Sequence, residues 1–395
     1  MRRDVQGCSH LLDSRLSRLD SRLMYDVAIV GGGPAGAAAA HRCARMGLTT
    51  LVLEKERLPR DKVCSGWVMG VGRLVIARVF GEIPGEVLTS PPSHQGYICH
   101  VPGVGSESVV CESRIAWRRD LDRWLLKKAQ EQGAELWEGA RLTEMEEGAP
   151  CLLRVAKEGV TEEVTARFVI GADGANSHVR KAIFPGLEVP LSQAYQEWFA
   201  VDVPLERRFG YLLLAPEIAP FYGAVHYKGE FLVLEIGARM GQVKEVTRWM
   251  KGALASEYRF PLETEAAGKG ACVEPVLYSL LFSGSFRPAR GNALLVGDSA
   301  GMPMPVTGEG IGTAMLSGLA AAVAIGRALE KNLKAEALYL QGIRGLLAAL
   351  EGPYNMVRDI RRQADRGGIA LLETTAASWR RTLDLSEAVL AAVDF

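Results

Sequence analysis

The 395-residue sequence lacks several features that mark common classes of protein. Its 46 basic and 46 acidic side chains leave no net charge, so nothing in the charge balance favours a nucleic-acid partner. Seven scattered cysteines include no C-x-x-C pair, which argues against a redox dithiol, an iron–sulfur cluster or a zinc ribbon, and we predict no metal site. No apolar run reaches the roughly 18 residues that cross a bilayer, so no transmembrane helix is expected. The unpatterned cysteines are typical of a reducing cytoplasm, which we take as the expected location.

Glycine, by contrast, is abundant, and its most telling cluster follows the first apolar segment. Residues 25–30 have the pattern of a buried strand, and residues 31–36 hold the spacing G-x-G-x-x-G. A helix of small residues then extends to about Met46, and a second apolar run ends at Glu54. Strand, glycine turn, helix, strand and acid in this order predict a dinucleotide-binding unit.

Each position of this unit has a physical task. Gly31 allows the tight turn, Gly33 lets a pyrophosphate approach the backbone, and Gly36 lets the helix pack closely on the strand. The helix N-terminus offers free N–H groups to the phosphates, and Glu54 can accept hydrogen bonds from ribose hydroxyls. The predicted ligand contacts in this unit are Gly31, Gly33, Pro34, Ala35, Gly36, Glu54 and Lys55.

The length predicts two interleaved domains. The first 23 residues form a charged, near-repeating piece with no apolar core, and we predict a disordered leader there. The nucleotide-binding domain is predicted at 24–90, 111–185 and 281–340. The second, strand-rich domain is predicted at 91–110 and 186–280, with one helix at 243–258. A C-terminal helical segment is predicted at 341–395, with a break at Gly352-Pro353.

Further motifs accompany the glycine turn. The segment from Gly171 to Ser177, which contains Asp173, follows a predicted strand. Gly297 and Asp298 lie at the end of another predicted strand. Residues 305–311 form a turn that opens a helix, whose free N–H groups offer partial positive charge to a ligand. Arg118 stands four residues before Asp122 at a predicted helix start.

In this order and separation the motifs resemble those of FAD-dependent oxidoreductases of the aromatic-hydroxylase architecture. The resemblance implies an α/β fold, with a Rossmann-type FAD-binding domain interleaved with a mixed β-sheet substrate domain and followed by C-terminal helices. It implies that the 305–311 turn faces the flavin pyrimidine, with Glu309 turned outward or capping backbone amides. The further FAD contacts that it implies are Arg118, Asp173, Gly297, Asp298, Gly308, Gly310 and Ile311.

Within that architecture, residues 61–66 and 307–311 resemble the geranylgeranyl reductase family, and Gly301 stands where aromatic hydroxylases typically carry His. The family uses reduced FAD to saturate isoprenoid double bonds, so the resemblance implies hydride transfer to an apolar, isoprenoid-like substrate. It places the loop of Cys64 near the flavin ring. Cys64 is therefore our candidate catalytic residue, which shapes the site or protonates the substrate; the alternative is a small buried hydrophobic residue.

The predicted partners are an apolar or lipid substrate and an electron donor. Peripheral contact with a membrane is a further expectation. Because residues 31–36 form the single dinucleotide fingerprint, the donor would be a transiently bound NAD(P)H or a protein. Other functions remain open at this point. The same scaffold could run the reverse dehydrogenation, act as a flavin monooxygenase or halogenase, or serve as an electron-transfer or non-redox FAD-binding protein.

Overall fold

The computed structural model describes residues 23–395. The predicted leader, residues 1–23, lies outside this range except for Leu23, which begins the first strand. The helices are α1 (Pro34–Arg45), α2 (Gly70–Val79), α3 (Arg118–Glu131), α4 (His178–Ile183), α5 (Val243–Tyr258), α6 (Tyr278–Phe282), α7 (Ile311–Lys331), α8 (Ala335–Gly342), α9 (Arg344–Ala364), α10 (Gly368–Asp384) and α11 (Ser386–Ala391).

Sixteen strands are present in the same range and form two sheets. Those of the first sheet are β1 (Leu23–Val30), β2 (Thr50–Glu54), β6 (Glu135–Glu138), β7 (Ala140–Glu146), β8 (Cys151–Lys157), β9 (Val160–Gly171), β15 (Ala289–Arg290) and β16 (Ala293–Leu295). Those of the second sheet are β3 (Trp67–Val68), β4 (Leu88–Val101), β5 (Gly105–Ala116), β10 (Leu191–Phe199), β11 (Phe209–Leu213), β12 (Gly223–Lys228), β13 (Phe231–Arg239) and β14 (Gly268–Pro275).

The first sheet has the parallel core that the glycine motif predicts. Its strands β6, β2, β1, β9 and β16 lie side by side, and each neighbouring pair is parallel. Parallel neighbours need a crossover connection, and α1 supplies it between β1 and β2. Strands β7 and β8 add an antiparallel extension that pairs with β9. The carboxyl ends of β1 and β9 therefore meet at one edge, where a ligand of this fold binds.

Helix α7 packs against α1 beneath that edge. A Cβ atom on Gly318 would lie 2.3 Å from the carbonyl oxygen of Ala35, so only glycine permits this approach of the two helices. In length and composition α7 could cross a membrane, but 83% of its most apolar window is buried inside the protein. It is therefore a core helix of the protein.

The second sheet is mixed. Its order is β14-β10-β13-β12-β11-β4-β5-β3, and β11 pairs with β4 in parallel whereas its other pairs are antiparallel. Helix α5 covers one face and spans the predicted residues 243–258. Residues 67–68 and the hairpin 88–116 belong to this sheet, so its N-terminal part is larger than the predicted 91–110. The mixed α/β architecture confirms the predicted fold class.

The predicted break at Gly352-Pro353 is wrong. Pro353 lies inside α9, which continues to Ala364. An internal proline removes a helical hydrogen bond and costs about 3 kcal/mol. Here Leu346, Leu350 and Ile360 are buried along one face of the helix, and Pro353 is buried with them. Burial of that apolar face offsets the local cost, because packing supplies most helical stability in proteins.

Candidate active site

A cleft of about 690 Å³ lies between the carboxyl edge of the first sheet and one face of the second. Its volume is within the range of small-molecule and cofactor sites. It brings together most of the residues predicted from separate motifs, which are Gly31, Gly33, Pro34, Ala35, Glu54, Lys55, Cys64, Arg118, Asp173, Asp298, Gly308, Gly310 and Ile311. Gly36 and Gly297 do not line the cleft, and their direct contact with a ligand stays a prediction.

The glycines of the first motif divide into packing and binding positions. A Cβ atom on Gly36 would lie 1.9 Å from the Gly31 carbonyl oxygen, so Gly36 serves the approach of helix and strand. Gly31 has φ +105°, which favours glycine, and any Cβ there would lie 2.4 Å from the Ala172 oxygen. Beside Gly33, however, the nearest atoms are guanidinium nitrogens of Arg118 and Arg60, at 3.9 and 4.0 Å. The space at Gly33 is therefore open and flanked by cations.

Those two arginines are held by buried carboxylates. Arg118 donates to Asp122 through two nitrogens, at 2.7 and 2.8 Å, and Arg60 reaches the same carboxylate at 3.1 Å. Arg60 also lies 3.4 Å from Glu54. Burial alone would lower the pKa of Arg118, but the charge of Asp122, its hydrogen bonds and the contribution of Cys64 together outweigh burial and raise it. Two fixed positive charges thus face the glycine turn, as a pyrophosphate site requires.

Glu54 holds the turn as well as facing the cleft. Its carboxylate accepts hydrogen bonds from the Gly32 amide at 2.9 Å and the Glu56 amide at 3.0 Å. The side chain is buried. A carboxylate has about four acceptor positions, so the predicted contact with ribose hydroxyls stays compatible with these bonds.

The two aspartates of the later motifs have different surroundings. Asp173 accepts from the His178 and Val179 amides at 2.6 and 3.2 Å, so it caps α4, and burial raises its pKa. Asp298 lies 3.4 Å from the ammonium group of Lys62 and is partly exposed to the cleft. Asp298 is therefore the better placed of the two to meet a ligand.

The turn before α7 has the predicted form. Gly308 has φ +64°, and the nearest atom to a Cβ there would be the Tyr222 hydroxyl at 3.6 Å. Tyr222 donates to the Thr307 carbonyl at 2.8 Å and so ties the second sheet to this turn. Glu309 accepts from the Gly312 amide at 2.6 Å, which confirms the expected amide cap. Burial raises the pKa of Glu309 to about 7.

Cys64 lines the cleft on the loop between β2 and β3. Its thiol is half-buried and accepts from the Gly66 amide at 3.4 Å. Lys228 donates to the Cys64 carbonyl at 3.1 Å from beneath the loop, and its ammonium group lies 4.1 Å from the centre of the Trp117 ring. Burial lowers the pKa of Lys228 to about 8. The second sheet thus fixes the backbone of this loop from a buried position.

Several residues of the cleft were not among the predicted contacts. Arg60 and Lys62 lie in an irregular basic stretch, and two of their partners, Asp122 and Asp298, are distant in sequence. Glu235, Cys272 and Glu274 come from strands β13 and β14 of the second sheet. Only the strand register brings them to one site, and that register cannot be read from spacing. His226 is fully buried, 3.2 Å from the Ser65 oxygen, and is not part of the cleft wall.

These residues fit FAD. Gly33 and Gly308 leave open space along the wall, and α1 and α7 both begin at the cleft, where helix N-termini favour negative charge. Arg118 and Arg60 add positive charge beside the first of these helices. Among residues 23–395 no group of His, Cys, Asp and Glu side chains is arranged to hold a metal ion.

Comparisons with known proteins agree with this site. Two family profiles, both described as FAD binding domain, match residues 26–75 and 100–219. The chain is 31% identical over 322 residues to a geranylgeranyl diphosphate reductase of Rhodobacter capsulatus, covering 76% of this chain and 75% of the relative. It is 27% identical over 329 residues to a digeranylgeranylglycerophospholipid reductase of Methanococcoides burtonii, covering 78% and 76%.

Solved structures give the same fold. A geranylgeranyl bacteriochlorophyll reductase-like protein of Thermoplasma acidophilum superposes with a TM-score of 0.71 at 19% identity, covering 93% of this chain and all of that one. A halogenase solved with FAD gives 0.69 at 16% identity, covering 93% and 85%. At such identities the structures establish the fold alone. On the sequence relationship, the chain is an FAD-dependent oxidoreductase that belongs to the geranylgeranyl reductase family.

Proposed function

We propose that this protein reduces carbon–carbon double bonds of an apolar, isoprenoid-like substrate. The observation that carries the proposal is the continuity of the cleft, which runs from the FAD motifs to one face of the second sheet. A substrate on that face would lie beside the cofactor without a separate channel. The names of the two relatives, reductases of a geranylgeranyl diphosphate and of a digeranylgeranyl lipid, support this substrate class.

The residues of the chain divide the work between binding and orientation. Arg118 and Arg60 would hold the diphosphate of FAD beside Gly33, and the start of α7 would face the flavin pyrimidine. Bound FAD supplies two-electron reduction chemistry. Tyr222 fixes the turn at Thr307 and so sets the distance between the second sheet and the cofactor.

The second sheet and the Cys64 loop also bring apolar surface to the cleft. Val63 and Ala194 line it on this side. An apolar wall can exclude water from an isoprenoid chain, and water exclusion strengthens electrostatic interactions within a site. This wall supports an apolar substrate in preference to a polar one.

The structure supports a monooxygenase function less well than it supports a reductase function. Gly301 has φ +70°, and a Cβ there would lie 2.6 Å from Cβ of Leu277. The histidine that typically occupies this place in aromatic hydroxylases therefore does not fit the present backbone. Similarity to the halogenase structure concerns the fold alone.

The electron donor and the location belong to the proposal as well. We propose that NAD(P)H or a protein donor reduces the bound cofactor transiently, in the cytoplasm, and that the protein touches a membrane surface to take up its substrate. Support comes from the chemistry of an apolar lipid substrate, which resides in membranes. Co-sedimentation with lipid vesicles and reduction rates with NADH and NADPH test these points.

An anaerobic single-turnover experiment tests the main proposal. Protein reconstituted with FAD is reduced with dithionite and mixed with geranylgeranyl diphosphate or a geranylgeranyl lipid, while the absorbance of oxidised flavin is followed. We expect the absorbance to return and the product mass to rise by two hydrogens per double bond. The fully saturated analogue is the control and should give no return. If the alkenes also give none, and oxygen instead yields a hydroxylated or halogenated product, the proposed reduction is wrong.

A further inference from the structure

Two carboxyl groups line the cleft from the second sheet. Glu235 on β13 and Glu274 on β14 both line it, and β10 lies between these strands. Gln196 of β10 is opposite Glu235, and Ser192 is opposite Glu274. Side chains alternate along a strand, so positions 192, 194 and 196 share one face. Both glutamates are therefore on the same face, on either side of Ala194, which also lines the cleft.

The opposite wall of the cleft carries the cofactor motifs. Asp298 and Lys62 form an ion pair there at 3.4 Å, and both line the same cleft as Glu274. Glu235 accepts a hydrogen bond from Gln196. Within the part of the chain that the structure describes, neither glutamate forms an ion pair of its own. Glu274 thus stands between the cofactor motif and the substrate wall without a cation of its own.

This setting favours the protonated form of Glu274. Desolvation at the cleft wall and the negative charges of Asp298 and Glu235 together raise the pKa of Glu274 to about 7, against the opposing charge of Lys62. Burial also raises the pKa of Glu235. The negative charge of Glu235 is thus one of the charges that disfavour ionisation of Glu274. The other polar or titratable groups that face Glu274 are Ser192, Tyr222, Cys272 and Tyr278.

We propose that Glu274 is the acid that protonates the substrate during double-bond reduction, with Glu235 as a positioning residue that keeps Glu274 protonated. The assignment rests on the proposed function. In the balanced step the alkene gains two electrons and one hydrogen from reduced FAD, which is oxidised. The O–H bond of Glu274 breaks, and a C–H bond forms at the other alkene carbon. Because Glu274 is exposed to the open cleft, its carboxylate regains a proton from solvent.

Other acids of the region are less suited to this step. His226 is buried away from the cleft, next to the Ser65 carbonyl, and its pKa is lowered well below the ordinary value by burial. Glu309 faces the α7 amides and lies outside the cleft wall. The Cys64 thiol is the remaining competitor, and a variant distinguishes it below.

The test compares Glu274→Gln, Glu235→Gln and the exposed control Glu263→Gln in the anaerobic single-turnover reaction across pH 5 to 9. We expect Glu274→Gln to slow substrate-driven oxidation of the flavin about a hundredfold or more and to abolish its pH dependence. Glu235→Gln should keep the rate at low pH and move the midpoint, near pH 7 in the parent protein, to lower pH. Glu263→Gln should match the parent protein. FAD affinity, thermal midpoint and the rate of flavin reduction by dithionite should be unchanged in all three.

The outcomes separate the two proposals. If the parent protein reduces no isoprenoid alkene, the proposed function fails and the role of Glu274 falls with it. If the parent protein is active and Glu274→Gln keeps its rate and pH profile, only the role of Glu274 is overturned. Glu274→Asp controls for misfolding, because it keeps a carboxylic acid at this position. Its substrate-driven rate should still fall with rising pH, which is the pH-dependent limb of the profile. Loss of that limb in Glu274→Asp together with a lowered thermal midpoint would count against an acid role.

Discussion

Arg118 and Asp122 face each other one helical turn apart at the start of α3, joined by two hydrogen bonds of 2.7 and 2.8 Å. Arg118 is 5% exposed and Asp122 fully buried. The pair aims a guanidinium group at Gly33, where the cleft is open. A bidentate pair of this kind fixes orientation as well as charge. Asp122 therefore acts on the FAD site without touching it, since it also holds Arg60.

Replacing Asp122 by Asn should weaken FAD binding about tenfold or more and lower the thermal midpoint. The change leaves two buried guanidinium groups without their shared countercharge, which typically costs about 3–5 kcal/mol. Titration of apoprotein with FAD, followed by quenching of flavin fluorescence, measures the affinity. Asp120→Asn, at an exposed position of the same helical turn, is the matched control and should behave like the parent protein. Equal affinity in the two variants would show that the arginines do not hold the cofactor.

The sequence was sufficient where function depends on neighbours along the chain. The glycine turn, α1, β2 and Glu54 form one continuous unit, and the Arg118–Asp122 spacing is a helical turn, so local patterns predicted both. The motifs predict Gly297 as a ligand contact and Gly36 as both a packing position and a contact, because a motif does not separate these two roles. In the structure, Gly36 meets Gly31, and Gly297 meets Ala35 and Ala314.

Sequence reasoning failed where tertiary contacts decide. Pro353 predicted a helix break, yet the buried face of α9 keeps that helix continuous. Glu235 and Glu274 are 39 positions apart in sequence and reach the same face of the sheet only through the pairing of β10 with two strands. No local pattern encodes that register, because it depends on which strand adopts the central place in the sheet.

Gly310→Val should weaken FAD binding by more than about 1.4 kcal/mol, a tenfold change in affinity. Gly310 has ordinary helical φ and ψ angles, and a Cβ there meets its nearest atoms at 3.7 Å, so the variant should fold. The branched side chain would instead occupy the cleft at the start of α7. Glu309→Gln is the control, because that side chain caps the Gly312 amide and should leave FAD affinity unchanged. Unaltered affinity in Gly310→Val would place the flavin elsewhere.

Glu309 should make the stability of the protein depend on pH. Burial raises its pKa in the folded protein from 4.5 to about 7, so the folded state binds its proton more tightly than the unfolded state does. The protonated Glu309 carboxyl group makes its full contribution to stability below about pH 4.5, and this contribution is lost as the pH rises to about 7. Glu309→Gln has no such titrating group. Between pH 4.5 and pH 7 its free energy of unfolding should therefore rise relative to that of the parent protein, by at most about 3 kcal/mol.

Urea unfolding of the two proteins at pH 5 and pH 8 measures this effect. The difference in free energy between them should be larger at pH 8. A difference that is the same at both values would mean that Glu309 titrates normally in the folded protein. Glu263→Gln, at an exposed position, should show no such change and serves as the comparison.

Substitutions at Cys64 should show that this residue shapes the cleft and does not donate the proton. The thiol is half-buried at the cleft wall, and Lys228 holds the Cys64 carbonyl at 3.1 Å, so the loop backbone should survive a change of side chain. If shape is its contribution, Cys64→Ser should keep the substrate-driven rate within about threefold of the parent protein. Cys64→Leu, which fills the cleft, should slow that rate about tenfold or more while FAD stays bound.

If the thiol were the acid, the substrate-driven rates of Cys64→Ser and Cys64→Ala would both fall about a hundredfold, the usual contribution of general acid catalysis. Single-turnover oxidation of the reduced flavin by substrate distinguishes these patterns, with Cys111→Ser, at a half-buried position outside the cleft wall, as the matched control.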